Sequence, residues 1–239
     1  MAKIKVRASK TKSSTEVEIK SIAHGISDTY HAYRQQFNIG ILIAVVIAAA
    51  LFFYSMVKAG QEKNAGMLLE TAYVSYTASG ESGPNYDKAL QGFQEVVKQY
   101  GSTVNGAIAQ FYIGNTLREM GRTDEALSAY LEFVKRYSGE KFILAMVYQR
   151  MGYIYASQGK SDDAVRAFLQ AEAISGPGVA TLETARLFEQ SGKTKEATDK
   201  YKELAEKIPA TTWAMAARAK LPPPDLTAPQ SAPAGTTAK

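Results

Sequence analysis

The hydrophobic pattern of this chain divides it into an apolar block and a set of periodic segments. Residues 37–57 read FNIGILIAVVIAAALFFYSMV, an uncharged run with no polar stripe, bounded by Arg34-Gln35-Gln36 on one side and Lys58 on the other. At about 1.5 Å per residue such a run reaches roughly 30 Å, the thickness of a bilayer's hydrocarbon core. Its Ile, Leu, Val and Phe side chains each favour insertion by about 0.3–0.6 kcal/mol. The run therefore predicts a transmembrane helix over 37–57 rather than a buried core helix, which would keep a polar stripe. The charged segment in front of it is too long for a signal-peptide n-region, and no A-x-A cleavage site follows, so the helix reads as an uncleaved anchor.

Beyond the anchor, apolar residues recur with a helical period and are punctuated by glycine. Four segments align. A small residue recurs as Ala89, Ala126, Ala164 and Ala197, and one helical turn later a ring recurs as Phe93, Tyr130, Phe168 and Tyr201. Before three of these alanines stand Gly121, Gly159 and Gly192, where a left-handed residue is expected to end a helix. Gly114 and Gly152 fall inside the preceding helices, where glycine costs about 1 kcal/mol against alanine unless it permits close packing. Thr123, Ser161 and Thr194 are expected to cap the second helices, and Asp124-Glu125 and Asp162-Asp163 put negative charge on the first turn.

The fold class expected from this pattern is all-α: a single N-terminal transmembrane helix, then a helical-repeat superhelix of about four helix pairs closed by a capping helix near 211–221 that carries Trp213. The domains are a basic tail over 1–36, partly helical near the membrane, the anchor over 37–57, the repeats over 58–221, and a Pro/Ala-rich tail over 222–239 that is expected to be disordered.

Charge changes the picture only at the N-terminus. The chain's net charge is +5, and residues 1–38, with seven Lys/Arg and three Asp/Glu, carry +4 of it. The repeats are left nearly neutral, without the basic footprint that supplies most nucleic-acid affinity. Seven cations before the anchor against Lys58 and Lys63 just after it predict a cytoplasmic tail and repeats on the far side, although the nearest cations, Lys20 and Arg34 against Lys58 and Lys63, are balanced. The absence of cysteine excludes disulfides, thiolate nucleophiles and cysteine-based metal sites. His24 and His31 have no thiol companions, and neither a metal nor a cofactor is expected. No hydrolase, P-loop or dinucleotide motif appears, and the reading is of a protein that is not an enzyme. Within the anchor, Gly40, Ala44 and Ala48 share one face and suit close approach of a partner helix.

The repeat pattern resembles the tetratricopeptide repeat, in which an aromatic-x2-Leu-Gly-x2-Tyr helix is followed by Ala-x3-Phe and a closing proline. Residues 107–140 match through Ile113-Gly114, Leu117, Gly121, Ala126 and Tyr130, and residues 145–178 through Tyr148, Met151-Gly152, Tyr155, Gly159, Ala164 and Phe168. Residues 178–211 match in their second half, ending at Pro209, with Ala185 in place of the packing glycine. The first unit, about 66–103, keeps only its second helix in register, after a first helix near Met67 to Tyr76 and a loop from Ser79 to Asn85. The resemblance implies that first helices line a binding groove. It points to Phe111, Tyr112, Asn115, Arg118 and Glu119, then Gln149, Arg150 and Tyr153, then Glu183, Arg186 and Glu189 as partner-binding residues. Of the residues with which some such domains hold a C-terminal carboxylate, only Asn115 and Arg150 have counterparts here; the lysines are missing.

The order of basic tail, single anchor and repeats resembles the YfgM-like ancillary subunits of the bacterial SecYEG translocon. That resemblance implies an inner-membrane protein with its N-terminus in the cytoplasm and its repeats in the periplasm, acting in a chaperone network with the translocon, a membrane-anchored prolyl isomerase or emerging client chains. The alternative is a cytosol-facing scaffold or assembly factor anchored in a membrane. Homodimerisation through the anchor or the groove stays open.

Overall fold

The structure is a computed structural model that describes residues 11–78 and 83–222, with side chains described at positions 19 and 20 and from Tyr33 onward. The first ten residues, part of the Ser79–Asn85 loop, the tail from 223 and the side chains of His24 and His31 lie outside the described residues. Within them the chain is all-helical. The helices are α1 (Thr11–Thr77), α2 (Tyr86–Tyr100), α3 (Val104–Glu119), α4 (Thr123–Arg136), α5 (Lys141–Ser157), α6 (Ser161–Ser175), α7 (Val179–Gln190), α8 (Thr194–Lys207) and α9 (Thr212–Arg218). The chain forms two compact units, Met1–Gly60 and Gln61–Lys239.

In the first unit, α1 departs from helical geometry at Tyr33 (φ −113°, ψ 15°). From Tyr33 on, the helix is long and apolar enough to cross a membrane, and none of its most apolar 18-residue window is buried within the chain. A core helix of a soluble protein would bury that window, whereas here Leu42, Phe52 and Phe53 stand exposed. A Cβ on Gly40 would meet nothing within 4 Å, so the Gly40 and Ala44 face is open.

In the second unit the helices pair in sequence order, α2 with α3, α3 with α4, and so on to α8 with α9. The recurrent residues are what they pair through. Ala89, Ala126, Ala164 and Ala197 are all buried, as are Phe93, Tyr130, Phe168 and Tyr201. The helical glycines face those rings: a Cβ on Gly152 would lie 2.7 Å from Phe168 Cε1, and one on Gly114 would collide with the Tyr130 ring. The pattern read as interlocking small residues and rings is thus the actual packing between helices of a pair.

The turns joining α3 to α4, α5 to α6 and α7 to α8 share one form. Gly121, Gly159 and Gly192 adopt φ of +75°, +71° and +72°, which L side chains avoid. After each glycine the next N–H reaches back five residues, Arg122 to Leu117 O (2.8 Å), Lys160 to Tyr155 O (2.9 Å) and Lys193 to Phe188 O (2.9 Å), while the glycine N–H bonds three residues back. This is the Schellman closure of a helix end. It also corrects the expected caps. Thr123, Ser161 and Thr194 are the first residues of their helices, and none of the three helix starts is capped by a side chain. The glycine turn already delivers the chain in the direction of the next helix, which leaves these hydroxyls one position too far in. Side-chain caps occur where no such turn precedes: Asn85 accepts from Lys88 N–H, Thr103 from Gly106 N–H and Thr211 from Ala214 N–H.

The short α9 closes the C-terminal end through Ala214 and Ala217, and Trp213 remains 39% exposed rather than forming the plug. At the other end, Glu62 on α1 secures α3. Its carboxylate accepts from the N–H groups of Val104 (2.7 Å) and Asn105 (3.3 Å), and the Asn105 amide donates back to Glu62 backbone and carboxylate oxygens (3.0 Å each). A carboxylate at a helix N-terminus meets unpaired N–H groups and the positive end of the dipole together.

Candidate binding face

The first helices of successive pairs, α3, α5 and α7, carry the residues expected to bind partners, and the repeat phase decides how each is presented. Phe111 is buried among rings, 5.5 Å between centroids from Tyr112 and 6.3 Å from Tyr130, so its role in this chain is packing. Asn115 is also buried, and its Oδ1 accepts from the Tyr130 hydroxyl at 2.7 Å. Tyr112 is half-buried at the centre of a ring cluster, with Tyr73 at 5.3 Å, Tyr76 at 5.4 Å and Phe93 at 5.3 Å. Tyr153 packs edge-on against Phe168 at 5.1 Å and keeps 39% of its surface exposed. Gln149 and Arg150 are half-buried beside it, while Arg118, Glu119, Arg186 and Glu189 are exposed and Glu183 is intermediate.

Most of the charges on this face are matched within the chain. Arg118 pairs with Glu119, and Arg186 with Glu183 at 2.8 Å. Glu189 accepts from the Tyr201 hydroxyl at 2.8 Å and from Lys220 at 2.9 Å, and these bonds hold its carboxyl below the usual carboxylate range. Burial pushes the hydroxyl of Tyr112 up to about 12, with neighbouring Tyr73 adding to it. Burial likewise raises Tyr201 to about 12, helped by its bond to Glu189. Burial also raises Tyr130 and Tyr153.

Through Glu189, α7 is bonded to Tyr201 on α8 and to Lys220 beyond α9. Tyr153 on α5 lies in the electrostatic reach of Glu183 and Arg186 on α7, and Tyr201 on α8 in reach of the same pair. The residues that the sequence did not single out are Tyr73 and Tyr76 on α1 and Lys220 beyond α9. The two tyrosines stand three apart on the last turns of α1, a helical spacing that was available, but the first unit lacks the Leu-Gly pair that sets the register elsewhere. Lys220 had no signal, because it reaches Glu189 from 31 residues away.

A sequence profile described as a tetratricopeptide repeat matches residues 108–139, which is α3 with α4 and the pair whose pattern is most complete. The repeats are TPR-like. Among solved structures, a tetratricopeptide repeat protein from Parabacteroides merdae superposes with a TM-score of 0.53 at 15% identity, over 66% of this chain and 59% of that one. This chain thus spans 59% of the length of that relative, and the likeness shows the fold alone. The MamA protein aligns with a TM-score of 0.47 at 18% identity, over 60% of this chain and 75% of its own. No curated protein sequence matches the chain. A TPR-like stack is suited to protein–protein interaction, since its units form one extended face. Among the described residues no group of three His, Asp or Glu side chains is placed to hold a metal ion.

Proposed function

We propose that this chain is a membrane-anchored binding subunit whose TPR-like face holds other polypeptides beside a bilayer and catalyses no reaction. The observation that carries the reading is the run of ring and guanidinium side chains presented by successive first helices, Tyr112 and Arg118, then Arg150 and Tyr153, then Arg186. Tyr and Arg dominate interface energetics because one side chain supplies both apolar area and directed hydrogen bonds. The apolar, unburied helix from Tyr33 supports an anchor over 37–57. The resemblance to YfgM-like subunits supports the bacterial inner membrane, with the N-terminus cytoplasmic and the repeats periplasmic. It also supports partners among the translocon, a membrane-anchored prolyl isomerase and client chains in transit. The open face at Gly40, Ala44 and Ala48 suits a neighbouring transmembrane helix or a second copy.

Sealed inverted inner-membrane vesicles test the topology. Added protease should leave residues 61–222 intact until detergent is present, and digestion in sealed vesicles would support the cytosol-facing scaffold instead. A photo-crosslinking residue at Tyr153 should capture translocon subunits or an emerging chain, while one at exposed Lys135 on α4 should not. Equal capture from both positions would remove the binding role from this face.

A further inference from the structure

The stretch of α1 before its bend carries a pattern that the anchor does not absorb. In the sequence, Ile19, Ile22, Ile26, Tyr30 and Tyr33 recur at spacings of three, four, four and three. A helix gathers such positions on one side, and the backbone is helical over the whole stretch up to the bend. The opposite side receives Ser21, Asp28 and Gln35, while Lys20, Ser27 and Arg34 recur every seventh residue along one edge of the apolar stripe. At the two ends of the stripe Ile19 and Tyr33 are 60% and 58% exposed, with Lys20 and Arg34 exposed beside them. Neither end is covered by the chain itself.

The bend indicates what covers the stripe. A helix running straight out of the anchor would carry Ile19 roughly 27 Å beyond Phe37, into water. Instead α1 leaves helical geometry at Tyr33 (φ −113°, ψ 15°). Arg34, Gln35 and Gln36 then separate the bend from the apolar run that Phe37 opens. With the anchor over 37–57, the bend lies where hydrocarbon gives way to headgroups, the depth that tyrosine rings favour, and Tyr30 and Tyr33 are the rings placed there. The cations suit the same depth, because Lys and Arg at the edge of an apolar stripe lay their stems along it and set their charges among phosphates. A coiled coil between two copies uses the same spacings, but this stripe supplies only about two heptads, fewer than such a coil sustains.

We infer that residues 19–33 are a second lipid-binding element: a helix lying in the plane of the bilayer surface, with its Ile and Tyr stripe against the headgroup and acyl boundary and its Asp28 side toward water. The partner is the phospholipid surface itself. The inference rests on the anchor proposed above and adds a contact along the membrane to the one across it. A surface helix joined to a crossing one fixes the depth and rotation of the crossing helix, as interfacial anchors do.

The chain has no cysteine, so a single introduced cysteine carries a single spin label. Full-length chain in vesicles of phosphatidylcholine and phosphatidylglycerol is labelled through Ser21→Cys, Ile22→Cys, Ile26→Cys or Asp28→Cys, with Ile47→Cys in the anchor as the reference. Electron paramagnetic resonance then reads collisions of each label with lipid-soluble oxygen and with a water-soluble nickel chelate. Labels at 22 and 26 should meet nickel several-fold less often, and oxygen more often, than labels at 21 and 28. Ile19→Asp with Ile22→Asp should raise nickel access at 26 to the level at 28. Equal access at the four positions, or a contrast that survives the two aspartates, would overturn the inference. So would dipolar broadening at 22 or 26 that vanishes on dilution with unlabelled chain, since the stripe would then face a second copy. A label at 47 shielded from nickel while all four others are wet would leave the anchor standing without its surface helix, whereas nickel access at 47 would remove the anchor as well.

Discussion

A glycine inside a helix costs about 1 kcal/mol relative to alanine, so Gly114 and Gly152 must gain something from what faces them. They gain the rings of Tyr130 and Phe168, seated so closely that a methyl group has no room. Gly152→Ala forces a Cβ to 2.7 Å from Phe168 and should lower stability by about 1–3 kcal/mol, in spite of alanine's better helix propensity. Gly66→Ala is the contrasting case, because its Cβ would meet only Asn105 at an ordinary 3.5 Å. That variant should be neutral or more stable by up to about 1 kcal/mol. Thermal melting of the solubilised chain checks both, and a stabilised Gly152→Ala would contradict the packing argument. The alanines, rings and turn glycines were legible in the sequence because each obeys a repeat period that local chemistry enforces. The capping residues were misread for the opposite reason: a hydroxyl at a helix start looks the same whether or not a backbone turn has already done its work. The hold of Glu62 on α3 was not legible at all, since it depends on which side chain arrives from a distant helix.

At the scale of helices, the second helices of neighbouring pairs are joined by one partly buried charge cluster. Lys200 on α8 donates to Glu172 on α6 at 2.6 Å and to Glu203 at 2.9 Å, with only 21%, 11% and 22% of the three side chains exposed. Burial opposes the charge on Lys200, yet the two carboxylates outweigh it and raise its pKa above the ordinary 10.5. Burial likewise opposes the charge on Glu203, and Lys207 and Lys200 outweigh it and hold the carboxyl below 4.5. The raised lysine contributes stability that is complete below pH 10.5 and lost as pH rises through its shifted value. The lowered glutamate contributes stability that is present above pH 4.5 and lost as pH falls through its own. Between those limits the cluster should hold α6 to α8 fully. Lys200→Met removes both bonds and leaves the largely buried Glu172 carboxylate without its partner, while Glu203 keeps Lys207, which should cost about 1.5–3 kcal/mol at pH 7. The gap from the parent chain should shrink as pH falls below 4.5 and through the lowered value of Glu203, where the parent loses that carboxylate's contribution. Melting temperatures of both proteins across pH 3 to 7 would show this, and a gap of constant size would place the cost in packing rather than charge.

At the scale of the repeat unit, stability in a stack is a sum of local terms, so it need not be uniform along the chain. One continuous core runs from Ala72 on α1 through the rings of α2, α3 and α4 to Ile154 on α5 and Ala167 on α6. It contains Phe93, Phe111, Tyr130 and Phe133, whose area dominates burial. The C-terminal helices are held by a separate and smaller cluster, Leu182, Ala185, Ala197, Tyr201, Leu204 and Ala217, in which half of the residues are alanines. Between the two lies a third group around Phe168 and Leu187. The seven-residue α9 adds two alanines and leaves Trp213 and Met215 exposed. With apolar burial contributing about 25 cal/mol per Å², a cluster of three alanines, two leucines and one tyrosine stabilises its helices less than the larger core with its several buried rings. The stack should therefore open from α7, α8 and α9 before α3, α4 and α5. Native-state hydrogen exchange on the solubilised chain would read this directly, with amides of α7 to α9 exchanging through a lower-energy opening than those of α3 to α5. Equal protection across all of these helices would mean that the three clusters unfold as one, and that the repeats share more of their stability than their separate cores convey.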